Sequence, residues 1–163
     1  MGSTPYLAVA AACALALAPA AAAVPSPGDK PAATVSNCAT EVQGNDAMQF
    51  NVGSIAVPAS CAALKITLRH VGKLPVTVMG HDLVVAKAAD MQAITTDGIA
   101  AGAAAGYLKA GDARVIAHTG LVGGGQSDSV SVPVARLKNG GPYAFFCSFP
   151  GHSVMMKGTI SVQ

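Results

Sequence analysis

Residues 143–156 read Tyr-Ala-Phe-Phe-Cys-Ser-Phe-Pro-Gly-His-Ser-Val-Met-Met and bring a thiol, an imidazole and thioethers close together in the chain. The aromatic run that ends at Cys147 is typical of a short buried strand, and Pro150-Gly151 predicts a turn. This turn would fold His152 back towards Cys147, and Met156 would begin the next strand. One loop on a rigid base can therefore carry three metal ligands.

A second imidazole lies far away in the chain, in the pair Gly80-His81. Two histidines, one cysteine and a weak axial methionine form the ligand set of blue-copper electron-transfer sites. Soft sulfur ligands beside imidazole favour copper or zinc over magnesium or calcium, and a methionine ligand favours copper over zinc. These residue types therefore predict a copper site.

Two other interpretations of Cys147 compete with a metal site. A cysteine beside aromatic residues is usually a small buried hydrophobic residue. A cysteine near a histidine can also be a catalytic thiol with its base, although catalytic partners normally converge from separate parts of a chain. The catalytic alternative leaves His81 and Met156 without a role, and the residues taken as a set, with the turn in place, favour the metal site.

The N-terminal region is typical of an exported protein. The chain has 163 residues, 52% of them hydrophobic and 11% charged, and alanine raises the apolar share at its start. Residues 6–23 carry no charge and end in small residues, which predicts a signal peptide over 1–23, although residues 1–5 lack the usual Lys or Arg. The modest hydrophobicity of alanine and the presence of Pro19 disfavour a retained membrane anchor. We therefore expect a periplasmic protein whose mature domain does not insert stably into a membrane.

The rest of the chain divides into a leader and one domain. Cys13 follows three small residues, as in a lipoprotein cleavage site, but the apolar stretch before it is short, so we expect no lipid anchor. Residues 24–36 are rich in Pro and Ala and predict a flexible leader. The remaining residues, 37–163, suffice for one hydrophobic core and are too few for two domains.

The cysteine count favours the same site. Once Cys13 is removed with the signal peptide, three cysteines remain, and an odd number usually leaves one unpaired. In an oxidising compartment Cys38 and Cys61 can form a disulfide worth roughly 3 kcal/mol, which would leave Cys147 as the free thiol. Burial beneath a metal would protect such a thiol from oxidation.

The domain is predicted to be all-β, a Greek-key sandwich or barrel. Alternating apolar and polar residues, the period of half-buried strands, occur at 64–70, 127–134 and 158–162. The apolar runs 76–79 and 83–85, on either side of Gly80-His81, are assigned to the same β pattern. The alanine-rich stretch 88–105 predicts one short helical insertion.

Five segments carry, in chain order, a resemblance to a known family. They are Cys-Ala-Thr-Glu-Val-Gln-Gly-Asn-Asp-Ala-Met-Gln-Phe at 38–50, Val-Met-Gly-His at 78–81, Ala-Ala-Asp-Met-Gln at 88–92, Arg-Val-Ile-Ala-His-Thr at 114–119 and Phe-Phe-Cys-Ser-Phe-Pro-Gly-His at 145–152. On these segments the domain resembles the azurin group of the cupredoxin family over nearly all of 38–163. Its loop has four residues between Cys147 and His152 and three between His152 and Met156, which is similar to azurins, whereas plastocyanin-like members have a shorter first gap.

The resemblance implies one type 1 copper ion that alternates between Cu(I) and Cu(II). Its ligands would be Gly80 through its carbonyl, His81, Cys147, His152 and, as a long axial ligand, Met156. Met155 competes with Met156 for the axial position. The family register favours Met156, and strand alternation would point the side chain of Met155 to the opposite face. The family also places a disulfide where Cys38 and Cys61 fall.

The function implied by the resemblance is electron transfer, so the chain would not be an enzyme. An apolar surface patch would surround His152, whose ring edge would reach the surface, and would contact small redox proteins such as cytochromes or reductases. This patch would consist of Met48, Leu74, Pro75, Met79, Phe149 and Pro150. Ordinary core packing is the alternative for Met48, Leu74 and Met79. His70 matches a family position near the copper, and His118 matches a peripheral one.

Three other functions compete with electron transfer. A copper-sequestering or copper-delivery protein would use the same ligands. A copper enzyme such as a nitrite reductase is disfavoured, because the chain shows one copper site and is too short for a second cupredoxin domain. Nucleic-acid binding is disfavoured by a net charge of only +2 and scattered basic residues.

The chain departs from the family pattern directly after the first histidine. Many azurins have Asn and then Trp there, but this chain has Asp82 and Leu83 and contains no Trp. An ionised Asp can only accept hydrogen bonds, whereas an Asn can also donate them. Our hypothesis is that Asp82 either stays protonated or adds negative charge near copper, which would lower its potential. Asp82 and Ser148, each next to a ligand, are the residues expected to support the ligand loops.

Overall fold

The computed structural model describes residues 1–2 and 30–163. The predicted signal peptide beyond residue 2, Cys13 and the first part of the leader lie outside the described residues. The strands are β1 (Ala39–Asn45), β2 (Gln49–Phe50), β3 (Ser54–Val57), β4 (Ala63–His70), β5 (Val84–Lys87), β6 (Val115–His118), β7 (Ser127–Pro133), β8 (Tyr143–Phe146) and β9 (Lys157–Val162). The helices are α1 (Val76–Met79) and α2 (Met91–Ala101), with short 3-10 turns at Ala88–Asp90, Ala103–Ala105, Val134–Leu137 and His152–Val154.

The strands form two sheets around one core. One sheet has the order β2-β1-β4-β7, and the other has the order β3-β9-β8-β5-β6. In β4 the side chains of Leu64, Ile66 and Leu68 are fully buried between the sheets, while Lys65 and Arg69 are exposed. This alternation is the period-2 pattern of a strand with one face in the core.

The central strand β8 is buried on both faces. Phe145 packs in the main core between the sheets, and its ring lies 5.7 Å from that of Phe50. Ala144 and Phe146 belong to a second cluster, which α2 covers with Ile94. Because every residue of β8 is buried, the strand forms the rigid base on which Cys147 follows.

The structure confirms the predicted fold class and the helical insertion, which α2 and the 3-10 turns around it occupy. The assignment of 76–79 to the β pattern was wrong, since these residues form the single helical turn α1. The backbone N–H groups of Val78 and Met79 both donate to the carbonyl of Pro75. No residue of α1 is buried, so its apolar side chains do not join the core as those of a strand would.

The predicted disulfide is confirmed. Cys38 and Cys61 are bonded, with their Cα atoms 5.7 Å apart, and Cys147 is a buried free cysteine. Within the predicted leader, the N–H of Gly53 donates to the carbonyl of Pro31 at 2.9 Å, so this part of the leader contacts the sheet. Among the described helices, none is long and apolar enough to cross a membrane.

Candidate metal centre

The loop after β8 is closed by its own backbone hydrogen bonds. The N–H of Cys147 donates to the carbonyl of Met156 at 3.0 Å, and the N–H of Met156 donates to the carbonyl of His152 at 2.7 Å. Gly151 has φ +82°, a left-handed conformation that glycine adopts without the strain of a side chain. The predicted turn therefore forms, and it returns His152 towards Cys147.

The second imidazole comes from the segment between α1 and β5. His81 is fixed by two backbone hydrogen bonds to Val122, with N···O distances of 3.0 and 2.8 Å. Its ring lies 5.1 Å from the ring of His152. Two segments that are distant in sequence thus place their side chains in one buried site.

The ligand atoms of His81, Cys147 and His152 lie within 4.8 Å of one another. The Sγ atom of Cys147 is 3.6 Å from Nδ1 of His152 and 3.9 Å from the carbonyl oxygen of Gly80. All three side chains are buried. Among the described residues, these three form the one such group of His, Cys, Asp and Glu.

An orphaned nitrogen indicates how His81 fits a metal. Its Nε2 lies 3.0 Å from the carbonyl oxygen of Asn45, while its Nδ1 is buried without a hydrogen-bond partner. A carbonyl can only accept, so Nε2 carries the proton and Nδ1 keeps its lone pair. A buried polar atom without a partner is costly, and a metal at Nδ1 would satisfy it.

The axial candidate lies beside the same histidine. Met156 is fully buried, whereas Met155 is half-buried. A Cβ atom built on Gly44 would lie 2.7 Å from Cδ2 of His81 and 3.2 Å from Cε of Met156, so these two side chains border one backbone position. The structure therefore brings all five predicted ligand residues, including Gly80, to one place, and their roles as ligands stay predictions.

The protonation states suit a metal site. Burial lowers the pKa of His81, and burial together with the charges of His81 and His70 lowers the pKa of His152 to about 4. Both imidazoles are therefore neutral near pH 7, as ligands must be. Burial, and then the charge of Asp82, raises the pKa of the Cys147 thiol well above its usual range.

Asp82 and Ser148 contact each other, as expected for residues that support the ligand loops. The buried carboxylate of Asp82 accepts hydrogen bonds from the N–H of Ser148 at 2.6 Å and from its hydroxyl at 2.5 Å. Burial raises the pKa of Asp82 to about 6. The segment after His81 and the segment after Cys147 are thus joined through one carboxylate.

Asp46 is a supporting residue that the sequence analysis missed. Its carboxylate lies 3.1 Å from Nε2 of His70 and accepts hydrogen bonds from the N–H groups of Lys73 and Leu74 at 2.8 and 3.3 Å. The ring of His70 is 4.2 Å from that of His81. An Asp in a turn indicates local backbone capping, but it does not indicate which distant loop it will hold.

His118 is exposed and its Nδ1 lies 2.9 Å from the carbonyl oxygen of Thr119, outside the ligand group.

The predicted patch residues are accessible to different extents. Met48, Leu74 and Pro75 are exposed, and Met79, Phe149 and Pro150 are half-buried. The ring of Phe149 lies 4.6 Å from that of His152, which is itself only 3% exposed. Exposure of Met48 and Leu74 argues against simple core packing. Val78 and Val154 are further exposed apolar residues near this patch in sequence, and they are not among the predicted patch residues.

The fold and this site define a class of proteins. The family model of copper-binding proteins of the plastocyanin/azurin family matches residues 36–163, and this chain belongs to that family. Similar relatives include the azurin of Pseudomonas denitrificans, 52% identical over 128 residues that cover 78% of this chain and 100% of the relative. The azurin of Alcaligenes faecalis is 54% identical over 125 residues, 77% of this chain and 98% of the relative. The azurin of Bordetella pertussis is 54% identical over 127 residues, 78% of this chain and 85% of the relative.

Proposed function

We propose that this chain is a periplasmic electron carrier with one copper ion at the site described above. The observation that carries the proposal is the buried group His81, Cys147 and His152, whose ligand atoms lie within 4.8 Å of one another. The donor set fits copper, because it combines a thiolate and imidazoles with the thioether of Met156 and the carbonyl of Gly80. When bound there, copper would supply a one-electron couple between Cu(I) and Cu(II).

The residues of the chain would keep the site rigid and dry. Backbone hydrogen bonds hold the Cys147–Met156 loop, and Asp82 ties it to the segment of His81. A site that is already in place has little to rearrange when the charge of its ion changes, which favours fast electron exchange. No step of this function makes or breaks a substrate bond.

Phe149 and His152 would connect the site with the surface. Their rings are in contact, and exposed apolar residues such as Met48 and Leu74 offer a docking surface. Small apolar surfaces suit weak and transient redox encounters, so the partners would be small redox proteins such as cytochromes or reductases. The Cys38–Cys61 disulfide suits an oxidising compartment such as the periplasm, and we propose residues 37–163 as the mature domain after a signal peptide and leader.

Copper titration of the purified protein tests the proposal. Cu(II) should give an intense visible absorption from the thiolate–copper bond, and Cys147→Ser should abolish it. The double variant Cys38→Ser/Cys61→Ser is the matched control, because it removes two other sulfur atoms and should keep the band. A protein that stays colourless in the presence of Cu(II) and oxidant contradicts the proposal.

A kinetic experiment separates electron transfer from copper delivery. The copper-loaded protein is mixed with a reduced small cytochrome, whose electron should reduce Cu(II) and bleach the band. Excess oxidised cytochrome should then take the electron back and restore the band, over repeated cycles in which the copper stays bound. Rapid loss of the metal to an apo acceptor, without reversible bleaching, would instead identify a copper-delivery protein.

A further inference from the structure

A cavity of about 410 Å³ lies beside the start of α2, and none of the predicted ligand residues lines it. Its apolar wall includes Met91 and Ala144. Two lysines, Lys30 and Lys157, line it as well, and none of the described residues that line it is acidic. Its volume falls within the range of roughly 300–1,000 Å³ that is usual for small-molecule sites.

Lys30 is held at this cavity by the backbone that follows it. The N–H of Gly53 donates to the carbonyl of Pro31 at 2.9 Å, and the N–H of Ala33 donates to the carbonyl of Ser54 at 2.7 Å. These bonds join the chain to the beginning of β3. Lys30 directly precedes Pro31, so these hydrogen bonds to the sheet also fix where the backbone of Lys30 lies.

Among residues 30–163, the ammonium group of Lys30 has no hydrogen-bond partner. Its Nζ atom is buried and forms no hydrogen bond. A lysine normally extends its charged end into water, and a buried charge is costly unless it is paired. Desolvation accordingly lowers the pKa of Lys30. An anion that reached Nζ from the cavity would supply the missing partner.

We propose that this cavity binds a small organic anion with an apolar body, such as a medium-chain carboxylate. Its carboxylate would lie at Lys30 and Lys157, and its hydrocarbon part would lie along Met91 and Ala144. Charge complementarity favours an anion over a cation, and the apolar wall favours a hydrocarbon body over inorganic phosphate. The proposal is independent of the copper site.

Calorimetric titration of the full chain with octanoate tests this binding. We expect saturable binding to one site, and the variant Lys30→Met, which keeps the length of the side chain without its charge, should bind at least tenfold more weakly. Lys157→Gln should weaken binding by a smaller factor. Lys65→Met is the matched control, because Lys65 is exposed on the other sheet, and it should bind like the parent.

Two other ligands and one other readout complete the test. Octan-1-ol and inorganic phosphate should each bind at least tenfold more weakly than octanoate. Saturating octanoate should raise the melting temperature of the parent but not that of Lys30→Met or Lys30→Gln, since ligand stabilises only a folded state that binds it. The proposal is overturned if the parent does not bind octanoate, if either other ligand binds as tightly, or if Lys30→Met binds like the parent.

Discussion

Asp82 accepts two hydrogen bonds from Ser148, one from its backbone N–H and one from its hydroxyl, across 66 positions of sequence. A carboxylate can accept both bonds, whereas an amide offers one accepting oxygen and one donating nitrogen. In an Asp82→Asn variant, the hydroxyl of Ser148 would have to turn and accept. Either Asp or Asn at position 82 can therefore form two hydrogen bonds with Ser148. Only an ionised Asp, however, places a negative charge beside Cys147.

Asp82→Asn should raise the reduction potential of the copper protein. The pKa of Asp82, raised to about 6 by burial, leaves the carboxyl ionised at pH 8, where its negative charge favours Cu(II). We expect an increase of tens of millivolts, because 59 mV corresponds to a tenfold change in a one-electron equilibrium. The difference should shrink at pH 4 to 5, where Asp82 is protonated.

Voltammetry of both proteins over this pH range measures the effect. Asp90→Asn, which removes a carboxylate from the 3-10 turn before α2, serves as the control for net charge and should follow the parent curve. Identical curves for Asp82→Asn and the parent would show that the buried carboxyl has no influence on the site.

Gly44→Ala should damage the candidate metal centre. The added Cβ would lie 2.7 Å from His81 and 3.2 Å from Met156, which is too close without movement of one of these side chains. Overpacking of this kind typically costs about 1–3 kcal/mol, and we expect copper affinity to fall by at least tenfold. Competition with a chelator of known affinity measures the loss.

The matched control for this substitution is Gly120→Ala. A Cβ at Gly120 would meet only a carboxylate oxygen of Asp128 at 3.4 Å, an ordinary contact. This variant should bind copper like the parent. If Gly44→Ala also keeps the copper affinity and the absorption spectrum of the parent, His81 and Met156 do not both belong to the copper site.

The loop from Cys147 to Met156 was predictable because its signals are local. Ligand types, a Pro-Gly turn and strand-like flanks all occur within a few residues, and local patterns constrain local structure well. The prediction for Val76–Met79 was wrong because it, too, relied on a local pattern. Valines are typical of strands, but these side chains are exposed in the structure or only half-buried, so no core selects an extended conformation for them.

Contacts between distant segments were not predictable from periodicity. Alternation in β1 and β4 indicates which residues face the core, but it does not indicate that the two strands pair in parallel. The hydrogen bonds of Asp46 to Lys73 and Leu74 depend on that topology, since they join residues 27 and 28 positions apart. The ligand residues were recognisable by their chemistry, whereas the residues that hold them were recognisable only after the sheets were in place.

Removal of the disulfide should lower stability without changing the site. Cys38 and Cys61 are 23 positions apart, and closing a loop of this length stabilises a fold by about 3 kcal/mol on the chain-entropy estimate. Denaturant unfolding of Cys38→Ser/Cys61→Ser should show this loss, while its copper absorption stays that of the parent. The reciprocal variant, Cys147→Ser, should lose the absorption and retain the disulfide. Loss of colour in the double variant would show that the disulfide, and not only the loop, maintains the ligand geometry.

Copper uptake should release protons in a number that depends on pH. The raised pKa of Cys147 keeps its thiol protonated at pH 7, and the lowered pKa values of His81 and His152 keep both imidazoles neutral. Binding at pH 7 must therefore displace about one proton, from the thiol. As the pH falls through about 4, His152 also becomes protonated, so the number should rise above one and the apparent affinity should fall more steeply with pH.

Calorimetric titrations in buffers of different ionisation enthalpy count these protons. Cys147→Ser provides the control, because a serine hydroxyl does not ionise in this range and the proton release at pH 7 should disappear. Zero release by the parent at pH 7 would mean that Cys147 is already a thiolate before copper arrives. In that case a neighbouring positive charge would have to outweigh both the burial of the thiol and the negative charge of Asp82, which is the opposite of what the structure predicts.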